Sequence, residues 1–196
     1  MLMGRLSELH LGAVGIGAMI FNFIYWNFGF LRMGTTGITA QAFGEKDDSE
    51  IMQTLSRALL VALILAIFIF SMQIPFGNMS FYLMNISLEQ YHLVEEYFYI
   101  RIWAAPATLG LFVMMGWFFG MQNAIFPLII TVFVNLVNIL LSYFFVKILS
   151  WDVAGVAWGT VIAQYAGIVL SFILFYGKYK THLSQFSQKA MLKVES

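Results

Sequence analysis

The chain has 196 residues, of which 61% are hydrophobic and only 10% charged, with a formal net charge of zero. Soluble domains carry roughly 25% charged residues, so this composition excludes a surface made for water and points to one made for lipid. Zero net charge with no basic stripe or acidic run excludes nucleic acid as a partner, and the absence of cysteine removes disulfides, thiolate nucleophiles and zinc-thiolate sites.

Five apolar stretches follow in chain order, at about 11–43, 56–78, 93–119, 127–149 and 154–177. Each crossing of a hydrocarbon layer about 30 Å thick takes roughly 20 residues, and backbone polar groups in lipid must be satisfied within a helix. The expectation is therefore an all-α protein, a polytopic bundle of about five membrane-spanning helices. The segment before the first stretch, Met1 to His10, is mixed and polar and does not read as a cleavable signal. Glu45-Lys-Asp-Asp-Ser-Glu50 reads as a polar turn, and Asn85 to Glu96 as an amphipathic segment at the interface. Met121-Gln-Asn-Ala and Trp151-Asp-Val-Ala make two very short connectors, with Pro127 opening the fourth stretch where a missing N–H is harmless. A transmembrane unit over 1–177 and a basic tail over 178–196, carrying Lys178, Lys180, Lys189 and Lys193, complete the expected organisation.

Orientation follows from Lys and Arg, which accumulate on the cytoplasmic side. Lys46, Arg57 and the four tail lysines lie at one end and outnumber Arg5, Arg101 and Lys147 at the other, so the tail is expected inside. Five crossings then put the amino terminus outside, which suggests that a further span precedes it.

The first stretch holds the most unusual wording, Trp26-Asn-Phe-Gly-Phe-Leu-Arg-Met-Gly-Thr-Thr-Gly-Ile-Thr-Ala-Gln41. Gly29, Gly34 and Gly37 allow close backbone approach or a bend, and Thr35, Thr36 and Thr39 can satisfy freed carbonyls. Arg32 lies well inside this run, where a charge costs at least about 2.5 kcal/mol unless it snorkels or finds partners. One reading has it facing a polar cavity or a carbonyl at a helix break; the other has it reaching the cytoplasmic headgroups. In the fourth stretch Asn138 and Ser142 lie one turn apart, with Asn135 close by, and either line a polar path or act as interhelical glue. Thr160, Gln164 and Tyr165 in the fifth stretch are similar, beside Ala154, Gly155, Ala157 and Gly159, which permit tight packing.

His10, His92 and His182 are scattered, so no metal site is expected, and the Asn85-Ile-Ser sequon is a chance match. No nucleophile–base pair, phosphate loop or carboxylate dyad appears, so neither catalytic residues nor a cofactor are expected. The 20 phenylalanines and 12 methionines suit a greasy, adaptable pocket or lipid-facing filler. All ten Asp and Glu residues fall in loops or near stretch ends, so the chain by itself lacks the intramembrane carboxylate used by ion-coupled pumps.

At Phe28-Gly-Phe-Leu-Arg-Met-Gly-Thr-Thr-Gly-Ile-Thr-Ala-Gln-Ala-Phe-Gly44 the sequence resembles the second helix of the multidrug and toxic compound extrusion family, its DNA-damage-inducible F branch in particular. Gly120-Met-Gln-Asn-Ala-Ile-Phe-Pro127, Asn135-Leu-Val-Asn-Ile-Leu-Leu-Ser-Tyr143 and Val153-Ala-Gly-Val-Ala-Trp-Gly-Thr160 extend the likeness over nearly the whole chain. The resemblance implies helices two to six of a six-helix amino-terminal lobe. Met3-Gly-Arg-Leu-Ser-Glu-Leu-His-Leu-Gly12 is similar to the turn after helix one, and that helix, with its cation-site aspartate, and the second lobe are missing partners. It also implies export of small organic, cationic or amphipathic substrates across the cytoplasmic (inner) membrane of the cell by antiport, with sodium or a proton as coupling ion. Asn138 matches an asparagine of the family's cation site and Thr160 a threonine of its sixth helix, while Ser142 stands where many relatives place an aspartate. Two other readings are a flippase for lipid-linked precursors and a non-transporting membrane subunit that packs on a partner through its Gly and Ala faces.

Overall fold

The computed structural model describes the backbone of residues 8–194 and the side chains of residues 8–180. The expected turn before Glu8, with Arg5, and the tail side chains His182, Lys189 and Lys193 lie outside the described residues. What is described is helical almost throughout: α1 (Glu8–Asn27), α2 (Gly29–Gly44), α3 (Asp48–Ser71), α4 (Gln73–Leu83), α5 (Leu88–Arg101), a 3-10 turn (Ile102–Ala104), α6 (Ala105–Gly120), α7 (Ile125–Lys147) and α8 (Asp152–Val194). These compose five lengths long and apolar enough to cross a membrane, Glu8–Gly44, Asp48–Ser71, Leu88–Gly120, Ile125–Lys147 and Asp152–Lys180. Each overlaps one of the five stretches read from the sequence.

The helices break where local chemistry makes a break cheap. α1 and α2 part at Phe28, whose N–H bonds the Tyr25 carbonyl at 3.0 Å while the Asn27 amide donates to the Phe23 carbonyl at 2.7 Å. A bend frees carbonyls, and a side-chain donor at the bend repays them. The break therefore sits before the Gly34–Gly37 segment and not within it, since α2 runs unbroken from Gly29 to Gly44. The second apolar stretch, expected as one helix over 56–78, is divided: α3 ends at Ser71, Met72 breaks the helix, and Pro75, which has no N–H for the Ser71 carbonyl, belongs to the separate α4. Asp47 closes the turn into α3, its Oδ1 accepting from the Ser49 and Glu50 N–H groups at 3.0 and 3.1 Å.

Asn123 does two jobs in the short turn before α7. Its Oδ1 accepts from the N–H groups of Ile125 and Phe126, both at 3.2 Å, and its Nδ2 donates to the Tyr179 hydroxyl at 3.0 Å. The turn is thereby pinned to α8. Asn123→Ala should lower the stability of the bundle by about 1–2 kcal/mol, the usual loss for a helix cap, read as a lower melting temperature in detergent. Tyr179 is buried among Trp117, Phe118 and Phe126. Packing of the bundle thus extends past residue 177, where the sequence suggests a tail, and α8 runs through that point without a break.

α6 is the central helix and packs against α2, α3 and α8. At its heart Trp117 is fully buried, donates from Nε1 to the Ile51 carbonyl at 3.1 Å, and meets the rings of Phe175 and Tyr179 edge-on at 5.2 and 4.9 Å. α1 leans on α5, where Gly17 lies under the Tyr97 ring and Phe21 stacks on Phe98 at 5.2 Å. α7, by contrast, buries only Pro127, Ile130 and Val146 and is held chiefly by α8. Large apolar side chains such as Leu63, Ile67, Leu136 and Ile139 cover the outside, as a lipid-facing bundle requires.

Candidate functional site

The polar residues expected in the fourth and fifth stretches meet in the seam between α7 and α8. Asn138 donates from Nδ2 to Thr160 Oγ1 at 2.9 Å, and the Thr160 hydroxyl in turn donates to the Val156 carbonyl at 2.9 Å. Ser142, one turn along α7 from Asn138, has its hydroxyl oxygen sealed with no hydrogen-bond partner. Glycine makes this approach possible. A Cβ at Gly159 would stand 2.6 Å from Ser142 Oγ and 2.9 Å from its backbone nitrogen, and one at Gly155 would stand 2.9 Å from Phe145 Cβ. The structure therefore brings Asn138, Ser142 and Thr160 together. Asn135 is on the exposed side of α7 and joins no hydrogen bond among the described residues.

The seam offers Asn138 Oδ1, Thr160 Oγ1 and Ser142 Oγ as neutral oxygens and no carboxylate. Neutral oxygens suit a hard monovalent cation as part of a larger coordination shell, whereas none of them exchanges a proton near neutral pH. Among the described residues no group of three His, Asp or Glu side chains is arranged to hold a metal ion.

The second expected group lies elsewhere, on the interface between α2 and α6. Thr35 donates to the Leu31 carbonyl at 2.6 Å, and the Thr36 hydroxyl reaches the Arg32 carbonyl at 2.8 Å and the Gly116 carbonyl at 3.1 Å. The Arg32 side chain is exposed and forms no hydrogen bond among the described residues, so the expected contact with a carbonyl at a helix break is not made. A Cβ at Gly34 or Gly37 would meet nothing within 4 Å. The close approach that these glycines suggested is supplied by the partner helix instead. A Cβ at Gly116 would stand 2.5 Å from the Arg32 carbonyl oxygen, and one at Gly120 would stand 2.5 Å from Thr39 Cβ. Gly116-Trp-Phe-Phe-Gly120 is the small-x-x-x-small spacing that lets two membrane helices touch, and that spacing in the sequence is the signal that identifies it.

Phenylalanine and methionine do form a groove, between α1 and α4, lined by Phe23, Phe28, Phe76, Met79 and Met84. It is almost wholly apolar and shares no residue with the α7–α8 seam.

Known proteins resemble this arrangement. DNA damage-inducible protein F of Escherichia coli (strain K12) is 35% identical over 168 residues, covering 86% of this chain and 37% of that protein. Protein DETOXIFICATION 44, chloroplastic, of Arabidopsis thaliana is 25% identical over 185 residues, 88% of this chain and 35% of its own length. The chain thus spans little more than a third of the curated relatives it matches. Among solved structures, a MATE crystal structure in the bent conformation superposes with a TM-score of 0.82 at 22% identity over 92% of this chain and 40% of that one. An outward-facing multidrug resistance MATE family transporter of the MOP superfamily gives 0.80 at 24% identity, with the same two coverages; at these identities both speak for the fold alone. With residues 1–144 matching the MatE family model as well, the five-span bundle with its α7–α8 polar seam belongs to the MatE family.

Proposed function

We propose that this chain is the greater part of one lobe of a multidrug efflux antiporter in the cytoplasmic membrane, comprising helices two to six of that lobe. The observation that carries the proposal is the Asn138–Thr160 hydrogen bond beside the unpartnered Ser142 hydroxyl, a polar seam near the middle of two otherwise apolar spans. In this reading Asn138, Ser142 and Thr160 contribute neutral oxygens to a site for sodium or a hydrated proton. Asn135, on the exposed side of α7, stands about one turn before Asn138 and would reach the site only from its margin, and a carboxylate is contributed by a neighbouring helix. Binding of the ion differs in strength between outward and inward states, and that difference drives the rocking of two lobes that exports an organic cation. Arg32 and the Gly34–Gly37 segment face outward from this lobe and would meet lipid or the second lobe. Lys46, Arg57 and the lysines after residue 177 then lie on the cytoplasmic side.

An ethidium accumulation assay in cells stripped of other exporters tests this reading. The 196-residue chain alone should leave accumulation unchanged, and export by it alone would overturn the half-transporter assignment. In a complete transporter carrying this lobe, Asn138→Ala and Thr160→Val should each raise the ion concentration for half-maximal efflux about tenfold, equivalent to about 1.4 kcal/mol. Unchanged ion dependence in both variants would remove the seam from the mechanism.

A further inference from the structure

Arg101 is the charge that the α7–α8 seam does not explain. It ends α5 inside the long span Leu88–Gly120, the chain tightens into a 3-10 turn over Ile102–Ala104, and Pro106 lies in the first turn of α6. The sequence counts it with the charges at the membrane surface, yet the adjacent Trp103 carbonyl accepts the Tyr165 hydroxyl of α8 at 3.1 Å. Tyr165 lies about 20 Å along α8 from its start at 1.5 Å per residue, which is deep in a span.

Two nitrogens of the Arg101 guanidinium, Nε and Nη1, are sealed and have no hydrogen-bond partner. No Asp or Glu pairs with it among the described residues, and its one neighbour of note is the Phe21 ring, 5.5 Å from the guanidinium carbon to the centroid. Two further polar atoms nearby are in the same condition. Tyr25 from α1 and Thr108 from α6 are 8% and 7% exposed, and their hydroxyls are sealed without a geometric hydrogen-bond partner; the Tyr25 ring lies 5.8 Å from the same Phe21 ring that Arg101 covers, and Thr108 follows Arg101 across the 3-10 turn. Buried polar atoms almost always find partners, and an unpaired buried charge is among the least tolerable features of a packed interior. Three such groups from three helices, all able to donate, describe a mould whose complement is missing.

We infer that Arg101, Tyr25 and Thr108 form a carboxylate-binding site inside the lobe. A guanidinium fork matches the two oxygens of a carboxylate, hydroxyls at its flank supply further donors, and one positive charge balances one negative charge. Arg101 as a whole is only half-buried, and Nη2 is not among its sealed nitrogens, so the guanidinium is reachable through that corner. The site is built on α1, α5 and α6, away from the α7–α8 seam, and does not rest on the antiport proposal. Its carboxylate has two possible sources: a free small-molecule acid, or an Asp or Glu on a transmembrane helix other than these five.

The test uses the chain in nanodiscs of zwitterionic lipid, with the melting temperature as readout. One arm adds sodium benzoate; the other co-reconstitutes an apolar transmembrane peptide with a central Asp, against the same peptide with Asn. At least one arm should raise the midpoint of the wild-type chain by several degrees through binding to the folded state alone. Benzoate would identify a free ligand, and the Asp peptide alone a neighbouring helix. Arg101→Gln should abolish the shift, and Tyr25→Phe or Thr108→Val should raise the half-saturating concentration about threefold. Without any ligand, Arg101→Gln should melt at or above the wild type, because it removes an uncompensated charge. The site is overturned if neither arm shifts the wild type, if Arg101→Gln keeps the shift, or if that variant alone melts below the wild type, the mark of a purely structural arginine.

Discussion

Trp117→Ala should destabilise the bundle by about 3–5 kcal/mol, the range for deleting a large buried aromatic side chain. The indole is fully buried in α6, the helix against which α2, α3 and α8 pack, so the cavity would open where three interfaces converge. The substitution also deletes the Nε1 hydrogen bond to the Ile51 carbonyl, which ties α6 to the first turn of α3. Edge-to-face contacts with Phe118, Phe175 and Tyr179 go with it, and such aromatic pairs are worth about 0.5–1.5 kcal/mol each beyond their area. In lipid there is no water to drive helices together, so packing of this kind is the main cohesive force. Thermal unfolding in a mild detergent, followed by monodispersity on gel filtration, checks the result; a midpoint within a degree of the wild type would show that α6 is not the keystone.

Gly116→Val should cost about 1–3 kcal/mol or more, through crowding and not through a void. The atoms a Cβ would strike are the Arg32 carbonyl oxygen, Cα and carbonyl carbon at 2.5, 3.1 and 3.2 Å. All belong to the backbone of α2, which cannot swing aside as a side chain can. α2 must move as a body, and the Thr36 hydroxyl then loses the Gly116 carbonyl, now at 3.1 Å. Gly34→Ala and Gly37→Ala supply the control, since nothing stands within 4 Å of either added methyl. Exchanging an unconstrained helical glycine for alanine should be neutral or should stabilise by up to about 1 kcal/mol. Ranking the three variants by melting temperature decides which helix contributes the close-packing surface; equal losses in all three would show that α2 packs through its own glycines.

The contrast between those two sets of glycines shows what was legible in the sequence. Runs without ionised groups dictate membrane helices, so the spans and their turns could be read directly, as could the Asn138–Ser142 periodicity and the small residues at 155 and 159 that face it. A glycine, however, carries no mark of which side of its helix meets a neighbour. Gly34 and Gly37 stand in the most conspicuous phrase yet look outward, while Gly116 and Gly120 sit in plain apolar text and make the contact. Arg101 was hidden for a related reason. In an apolar stretch a charge near a helix end looks superficial, and only the bond from Tyr165 of α8 to the Trp103 carbonyl, two residues on, shows how deep it lies. Asn123 falls in the same class, because its second bond reaches Tyr179 across the fold.

The thin attachment of α7 has a consequence in time as well as in space. A helix that rests on one neighbour can separate from it without disturbing the remainder, so α7 defines a unit of sub-global opening, while α6 and α8 come apart only with the whole bundle. Amide protons of α7 should accordingly exchange with deuterium as one early block, and those of α6 last. The oxygens of Asn138, Ser142 and Thr160 ride on that hinge-like pair, so whatever grips them also latches the most easily released part of the molecule.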